Sequence, residues 1–202
     1  MFLFAGVCYA NVLPADSDEI PVNSIGVYQI DKRVTIYTKP DETSGIIADR
    51  EIVYQNYVGL KSDNMFAVVL PQKEISYLYV IDISEDECWM KVIYDKAANK
   101  SGWVYKSDDF QFMPWMNFFN LYGKKYGLSE LKCITHNENV YSQPDEDSQI
   151  LGQVNRPKFI RLTAVEGNWV LVSILDFTSE TTTGYVQWRN QNGKLYMFPA
   201  IK

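Results

Sequence analysis

The sequence predicts a mainly β chain built from two similar small modules in tandem, and three observations carry that prediction. Residues that favour strands are plentiful, with 14 Tyr, 10 Phe and 5 Trp beside many Val and Ile. Short apolar runs are bounded by Pro-, Gly- and Asp-marked turns. One set of landmarks also occurs twice in the same order, at a constant offset.

Composition sets the outer bounds. A chain of 202 residues with 47% hydrophobic and 22% charged residues has the make-up of a globular protein. Its net charge of −6 argues against nucleic acid as a partner, since phosphate binders cluster Lys and Arg, and here the longest cationic hint is Lys124-Lys125. No stretch reaches the roughly 20 apolar residues of a transmembrane helix.

At the N-terminus, Met1 to Ala10 are apolar and uncharged and end in Cys8-Tyr9-Ala10, with small side chains where a signal peptidase reads them. Residues 1–10 are expected to be a clipped signal peptide, the alternative being a buried first strand. Val7 stands where a lipoprotein signal needs a small residue before Cys8. Cleavage would leave Cys88 and Cys133, either bridged in an oxidising compartment or two separate buried thiols.

The repeat follows. Ile36-Tyr37-Thr38-Lys39-Pro40-Asp41-Glu42, with Ser44 and Ile46, returns as Val140-Tyr141-Ser142-Gln143-Pro144-Asp145-Glu146, with Ser148 and Ile150. Each copy reads as a strand entering a Pro-Asp-Glu turn, where Pro fixes φ and Asp accepts local backbone hydrogen bonds. Downstream, Trp89-Met90-Lys91-Val92 and Gly102-Trp103-Val104 are answered by Trp169-Val170-Leu171-Val172 and Gly184-Tyr185-Val186. Each pair of runs is expected to form a hairpin, with Gly102 and Gly184 easing the bend into its second strand.

Between these landmarks the first copy carries an insertion at about 50–74, in which Ile52–Leu60 and Met65–Leu70 are expected to pair as an extra hairpin. The stretch 107–128 contains Pro114-Trp115-Met116-Asn117-Phe118-Phe119-Asn120-Leu121-Tyr122 and predicts a short helix. Exposed, its aromatic residues would make an apolar patch, so this connector is expected to be buried between the modules.

Two matched copies of short strands, with Trp followed by a Gly-aromatic-Val strand, resemble the bacterial Src-homology-3 (SH3b) family. The resemblance covers roughly 28–106 and 131–198, and it implies two small, partly open SH3-like β-barrels joined by the 107–128 connector. It also implies peptidoglycan or protein ligands near the loops. On that basis Tyr37, Asp41 and Glu42, their counterparts Tyr141, Asp145 and Glu146, and Trp188 after the last barrel strand are the candidate ligand-binding residues.

Catalytic and metal constellations are not evident. The only histidine, His136, lies three residues after Cys133, a spacing that puts the two on opposite faces of a strand. One His and three Cys include no closely spaced cysteine pair for zinc. The acidic groups Asp82, Glu85, Asp86, Glu87 and Asp145, Glu146, Asp147 read as solvated turn tips. No Gly-rich phosphate loop is present, so no cofactor and no metal is expected.

The sequence therefore points to a non-catalytic, exported module of the periplasm or cell surface that binds cell-wall peptidoglycan, a peptide or an envelope protein. Its alternatives are a structural assembly module with occluded grooves and a hydrolase working through carboxylates.

Overall fold

Period-two alternation sets the strands. Between Phe159 and Glu166, Ile160, Leu162 and Val165 face the interior while Phe159, Arg161 and Thr163 face out, and a register shift between Leu162 and Ala164 carries the pattern past Thr163. The computed structural model describes residues 19–56, 59–60, 63–131, 138–154 and 157–201. The expected signal peptide, Cys8, Cys133 and His136 lie outside them.

The described chain is mainly β and forms two antiparallel sheets. The first contains β1 (Gly26–Ile30), β2 (Arg33–Tyr37), β3 (Ile46–Glu51), β4 (Phe66–Leu70), β5 (Ile75–Ile83), β6 (Trp89–Asp95), β7 (Lys100–Tyr105) and β8 (Phe112–Pro114). The second contains β9 (Leu128–Glu130), β10 (Asn139–Tyr141), β11 (Ile150–Gln153), β12 (Phe159–Glu166), β13 (Trp169–Leu175), β14 (Thr181–Gln187) and β15 (Met197–Pro199). Their strand orders, β3-β2-β7-β6-β5-β1-β8 and β11-β10-β14-β13-β12-β9-β15, are the same topology twice, and β4 is the addition.

Two elements fall where the helical connector was expected. Phe112–Pro114 pairs with Gly26–Tyr28, and Leu128–Glu130 pairs with both β12 and β15. The first sheet thus begins before residue 28 and takes in part of the 107–128 stretch, and the second begins before 131. These strands are three residues long, too short to show an alternation in the sequence, and only their partners define them.

The expected hairpin of the insertion is corrected. The described residues of Ile52–Leu60 form no strand: they hold a 3-10 turn at Tyr54–Asn56, and Ile52, Tyr54 and Leu60 are buried against the inner side of the first sheet. Tyr54 anchors this cover by donating to the Asp31 carbonyl at 3.3 Å. β4 pairs forward with β5 through a turn at Pro71–Lys73, closed by Glu74 at φ 52°. The reason lies in the edge of β5. In the second sheet β13 runs the whole length of β12, whereas β6 reaches only Tyr79–Ile83 of β5. β4 supplies the hydrogen bonds that Ile75–Leu78 would otherwise lack.

The connector forms α1 (Trp115–Phe118), a π-helical turn at Phe119–Gly123 and α2 (Lys124–Tyr126). It ends at Gly127, whose φ is 77° and where a Cβ would stand 2.8 Å from the Ile160 carbonyl, which leaves no place for a side chain. Trp115, Phe118 and Phe119 are buried, as the sequence led one to expect, in a core that both sheets share. Phe119 lies 4.4 Å from Trp188, and Phe118 lies 5.6 Å from both Tyr77 and Phe198, measured between ring centroids. The Trp115 indole donates to Ser24 Oγ at 3.1 Å, so the one polar atom it carries inward is satisfied. Cys88 is a half-buried free thiol whose Sγ approaches the Asp86 carbonyl at 3.4 Å.

Gly102 and Gly184 do not ease a bend. A Cβ on Gly102 would stand 2.4 Å from Ile36 and 3.0 Å from the Tyr37 carbonyl, and one on Gly184 would stand 2.7 Å from Val140 and 2.6 Å from the Tyr141 carbonyl. Glycine is needed because a neighbouring strand crosses there. Gly102→Ala and Gly184→Ala should each lower stability by about 1–3 kcal/mol in chemical denaturation, as overpacked sites do. Gly152→Ala, which meets only ordinary contacts with Thr182, should change it little.

Candidate functional site

Alternation in β2, β6 and β7 sends Val34, Ile36, Val92 and Val104 inward and places Tyr37, Trp89, Lys91, Trp103 and Tyr105 together on the outer side of the first sheet. Tyr37 stands opposite Trp103, Trp103 opposite Lys91, and Trp89 opposite Tyr105. The Tyr37 and Tyr105 rings set their edges against Trp89 at 5.4 and 5.1 Å, near-perpendicular in both cases. Lys91 Nζ lies 5.6 Å over the Trp103 ring. Trp89 is thereby covered, at 6% exposure, while Tyr105 stays 50% exposed.

The second sheet repeats part of this arrangement. Tyr141 sets its edge on Trp169 at 5.4 Å and stands opposite Tyr185. Gln187 occupies the place of Tyr105, opposite Trp169, and donates to Glu146 Oε1 at 2.6 Å. Tyr185 donates to Glu166 at 3.0 Å.

The two Pro-Asp-Glu turns share one set of hydrogen bonds. Thr38 N and Ser142 N donate to the carbonyls of Gly45 and Gln149, each at 2.9 Å. Asp41 N and Asp145 N donate to those of Lys39 and Gln143, each at 2.8 Å. Ser44 and Ser148 hydroxyls donate to the same two carbonyls at 3.2 Å. Asp41 accepts from Thr43 N at 2.8 Å and from the Thr43 hydroxyl, and Asp145 accepts from Asp147 N at 3.0 Å. These bonds from Thr43 hold the Asp41 carboxyl below its ordinary range.

Of the sequence candidates, Tyr37 and Glu42 therefore come together, lining a groove of about 550 Å3 with Tyr28, Thr35, Tyr105 and Phe110. Pro40, on the same turn, lines a second hollow of about 650 Å3 with Trp103, Asp82, Ser84, Glu85 and Asp86. The aromatic row runs between the two. Asp41 and Asp145 are committed to their own turns, and Glu146 is tied to Gln187. Trp188 is corrected: it is 1% exposed, donates to the Gly167 carbonyl at 2.8 Å and belongs to the shared core, because the connector brings Phe119 against its ring.

Tyr105, Trp103 and Lys91 were not among the sequence candidates. The signal was available in the hairpin register, which puts Tyr105 opposite Trp89 once the two runs are aligned on their turn. Among the described residues no cluster of His, Cys, Asp and Glu is suited to a metal ion. No described helix is long and apolar enough to cross a membrane.

No family model matches the sequence, and no curated protein matches it. Among solved structures, an NlpC/P60 endopeptidase from Photobacterium damselae subsp. piscicida aligns with 89% of this chain at 13% identity and a TM-score of 0.27. The chain spans 35% of that protein's length. A likeness of this degree bears on neither activity nor ligand.

Because the Asp41 carboxyl is held below its unfolded value, its contribution to stability is present above about pH 4 and is lost as pH falls through the folded value. Asp41→Asn removes that titration. The variant should unfold at lower denaturant than the parent near neutral pH, and the gap should narrow at about pH 3.

Proposed function

We propose that this chain is a non-catalytic, exported binding protein that recognises an extended cell-wall ligand, a peptidoglycan strand or its peptide, on the outer face of its first sheet. The observation that carries this reading is the aromatic row Tyr37–Trp89–Tyr105 with Trp103, set on rigid strands between two open hollows. Planar side chains held edge to face lose little freedom on binding and offer faces for sugar rings or extended peptides. The hollow beside Trp103 adds Asp82, Glu85 and Asp86, which suit amino groups on a ligand. Ile52, Tyr54 and Leu60 of the insertion pack on the inner side of the sheet and the connector packs at Tyr77 and Tyr79 of β5, while Tyr105, at the β7 end of the row, stays half exposed.

The test is retention of the protein on purified insoluble peptidoglycan. Tyr105→Ala and Trp103→Ala should each weaken saturable retention about tenfold, the scale of losing one well-held aromatic contact. Gln187→Ala, at the matching place on the second sheet, should leave it unchanged. Absence of saturable retention by the parent protein, or retention indifferent to both aromatic changes, refutes the reading.

A further inference from the structure

A second feature lies on the other sheet, away from the aromatic row. A cavity of about 280 Å3 is lined by Val22, Asn168, Arg189, Asn190, Gln191 and Gly193. Arg189 is the only charged residue in that lining, and it carries a positive charge in a chain of net charge −6.

The guanidinium is incompletely compensated. Its Nε donates to Asn168 Oδ1 at 2.7 Å, and its plane lies 4.7 Å from the centre of the Trp188 ring. Nη1 is buried with no acceptor. The ion pairs seen among the described residues join Lys32 to Glu74, Arg33 to Asp49 and Arg50 to Asp63, and none involves Arg189. Loss of water alone lowers its affinity for a proton, with no carboxylate acting in the other direction. Arg189 is half-buried, and a charge partly removed from water without a counter-charge favours the arrival of an anion.

The surroundings are built rather than accidental. Trp188 is fixed by bonds from its indole to the Gly167 carbonyl at 2.8 Å and from its backbone to the Asn168 carbonyl at 3.0 Å. Asn190 Oδ1 accepts from Asn192 N and Lys194 N, each at 2.9 Å, and holds the far wall of the cavity. Ile20 N donates to the Gly193 carbonyl at 2.9 Å, which fastens the segment bearing Val22 alongside.

We propose that the cavity at Arg189 binds a small carboxylate, either a free acid or the C-terminal carboxylate of a short peptide. A carboxylate matches one guanidinium in charge and in its two-pronged geometry, whereas a phosphate carries more charge than a single arginine balances. The carboxylate supplies the counter-charge that Arg189 lacks where its side chain lines the cavity, and Asn168 and Gln191 line the same cavity for the rest of the ligand. This site is independent of the aromatic row, so the two proposals stand or fall separately.

The experiment is a titration of the whole protein followed by the Arg189 Nε–H and Asn168 side-chain amide NMR signals. The probes are acetate, N-acetylalanine, N-acetylalanine amide and inorganic phosphate. Saturable shifts with acetate or N-acetylalanine, at least about tenfold weaker with the amide, support the site. Tenfold preference for N-acetylalanine over acetate assigns it to a peptide terminus, and equal affinity assigns it to a free acid. Arg189→Lys, which keeps the charge and loses the fork, should weaken binding about tenfold, and Arg189→Gln should abolish it. The proposal is overturned if neither acid saturates below about 10 mM, if acid and amide bind alike, or if phosphate binds more tightly than both acids. The comparison of acid with amide uses the unmodified protein, so it holds even where a variant fails to fold.

Discussion

The burial of the connector between the sheets is the constraint on which the remaining structure depends. A small sheet with one apolar side cannot remove enough surface from water by itself, and the fraction a domain can bury falls with its size. Here Trp115, Phe118 and Phe119 enter a single core with Tyr77 and Tyr79 from one sheet and Trp188 and Phe198 from the other. The second sheet closes its inner side on the connector, whereas the first fills its own with a separate cluster that includes Ile36, Val92 and Val104 and meets the connector on the other side of β5, at Tyr77 and Tyr79. The outer side of the first sheet is therefore divided, with its β5 end buried against the connector and its β7 end carrying the half-exposed Tyr105 on a stiff support.

That division of labour explains how two copies of one topology came to present different surfaces. Where the first sheet has Tyr105, the second has Gln187, and the glutamate of the adjacent turn follows the change. Glu146 is drawn across to Gln187, whereas Glu42 lines an open groove with Tyr37 and Tyr105. The scaffold beneath is the same in strand order and in the hydrogen bonds of its turns. What differs is a side chain that points to solvent, where a change costs the fold least.

Much of the fold was legible in the sequence because it rests on local signals. The two Pro-Asp-Glu turns, the Trp-led hairpins and the aromatic connector all announce themselves by spacing or by turn chemistry. The parts that were not legible depend on partners distant in the chain. Phe112–Pro114 and Leu128–Glu130 are strands only because β1, β12 and β15 lie beside them. The insertion read as its own hairpin because nothing local reveals that β5 has an unfilled stretch of edge. At the candidate site, Tyr37 and Glu42 could be found from the repeat. Trp188 was misplaced because its burial is decided by Phe119, far earlier in the chain. Asp41 and Asp145 carry the chemistry of a ligand contact and the geometry of a turn former, and sequence alone does not separate the two.

The matched glycines bear on the chain's history. Gly102 and Gly184 meet corresponding neighbours: Ile36 and Val140, Ile47 and Leu151, and the carbonyls of Tyr37 and Tyr141. A crowded crossing that recurs with the same participants is most simply inherited from one ancestral module that already had it. The difference between Tyr105 and Gln187 then postdates the duplication. Steric necessity in this chain holds the glycines alike where surface chemistry has let Tyr105 and Gln187 diverge.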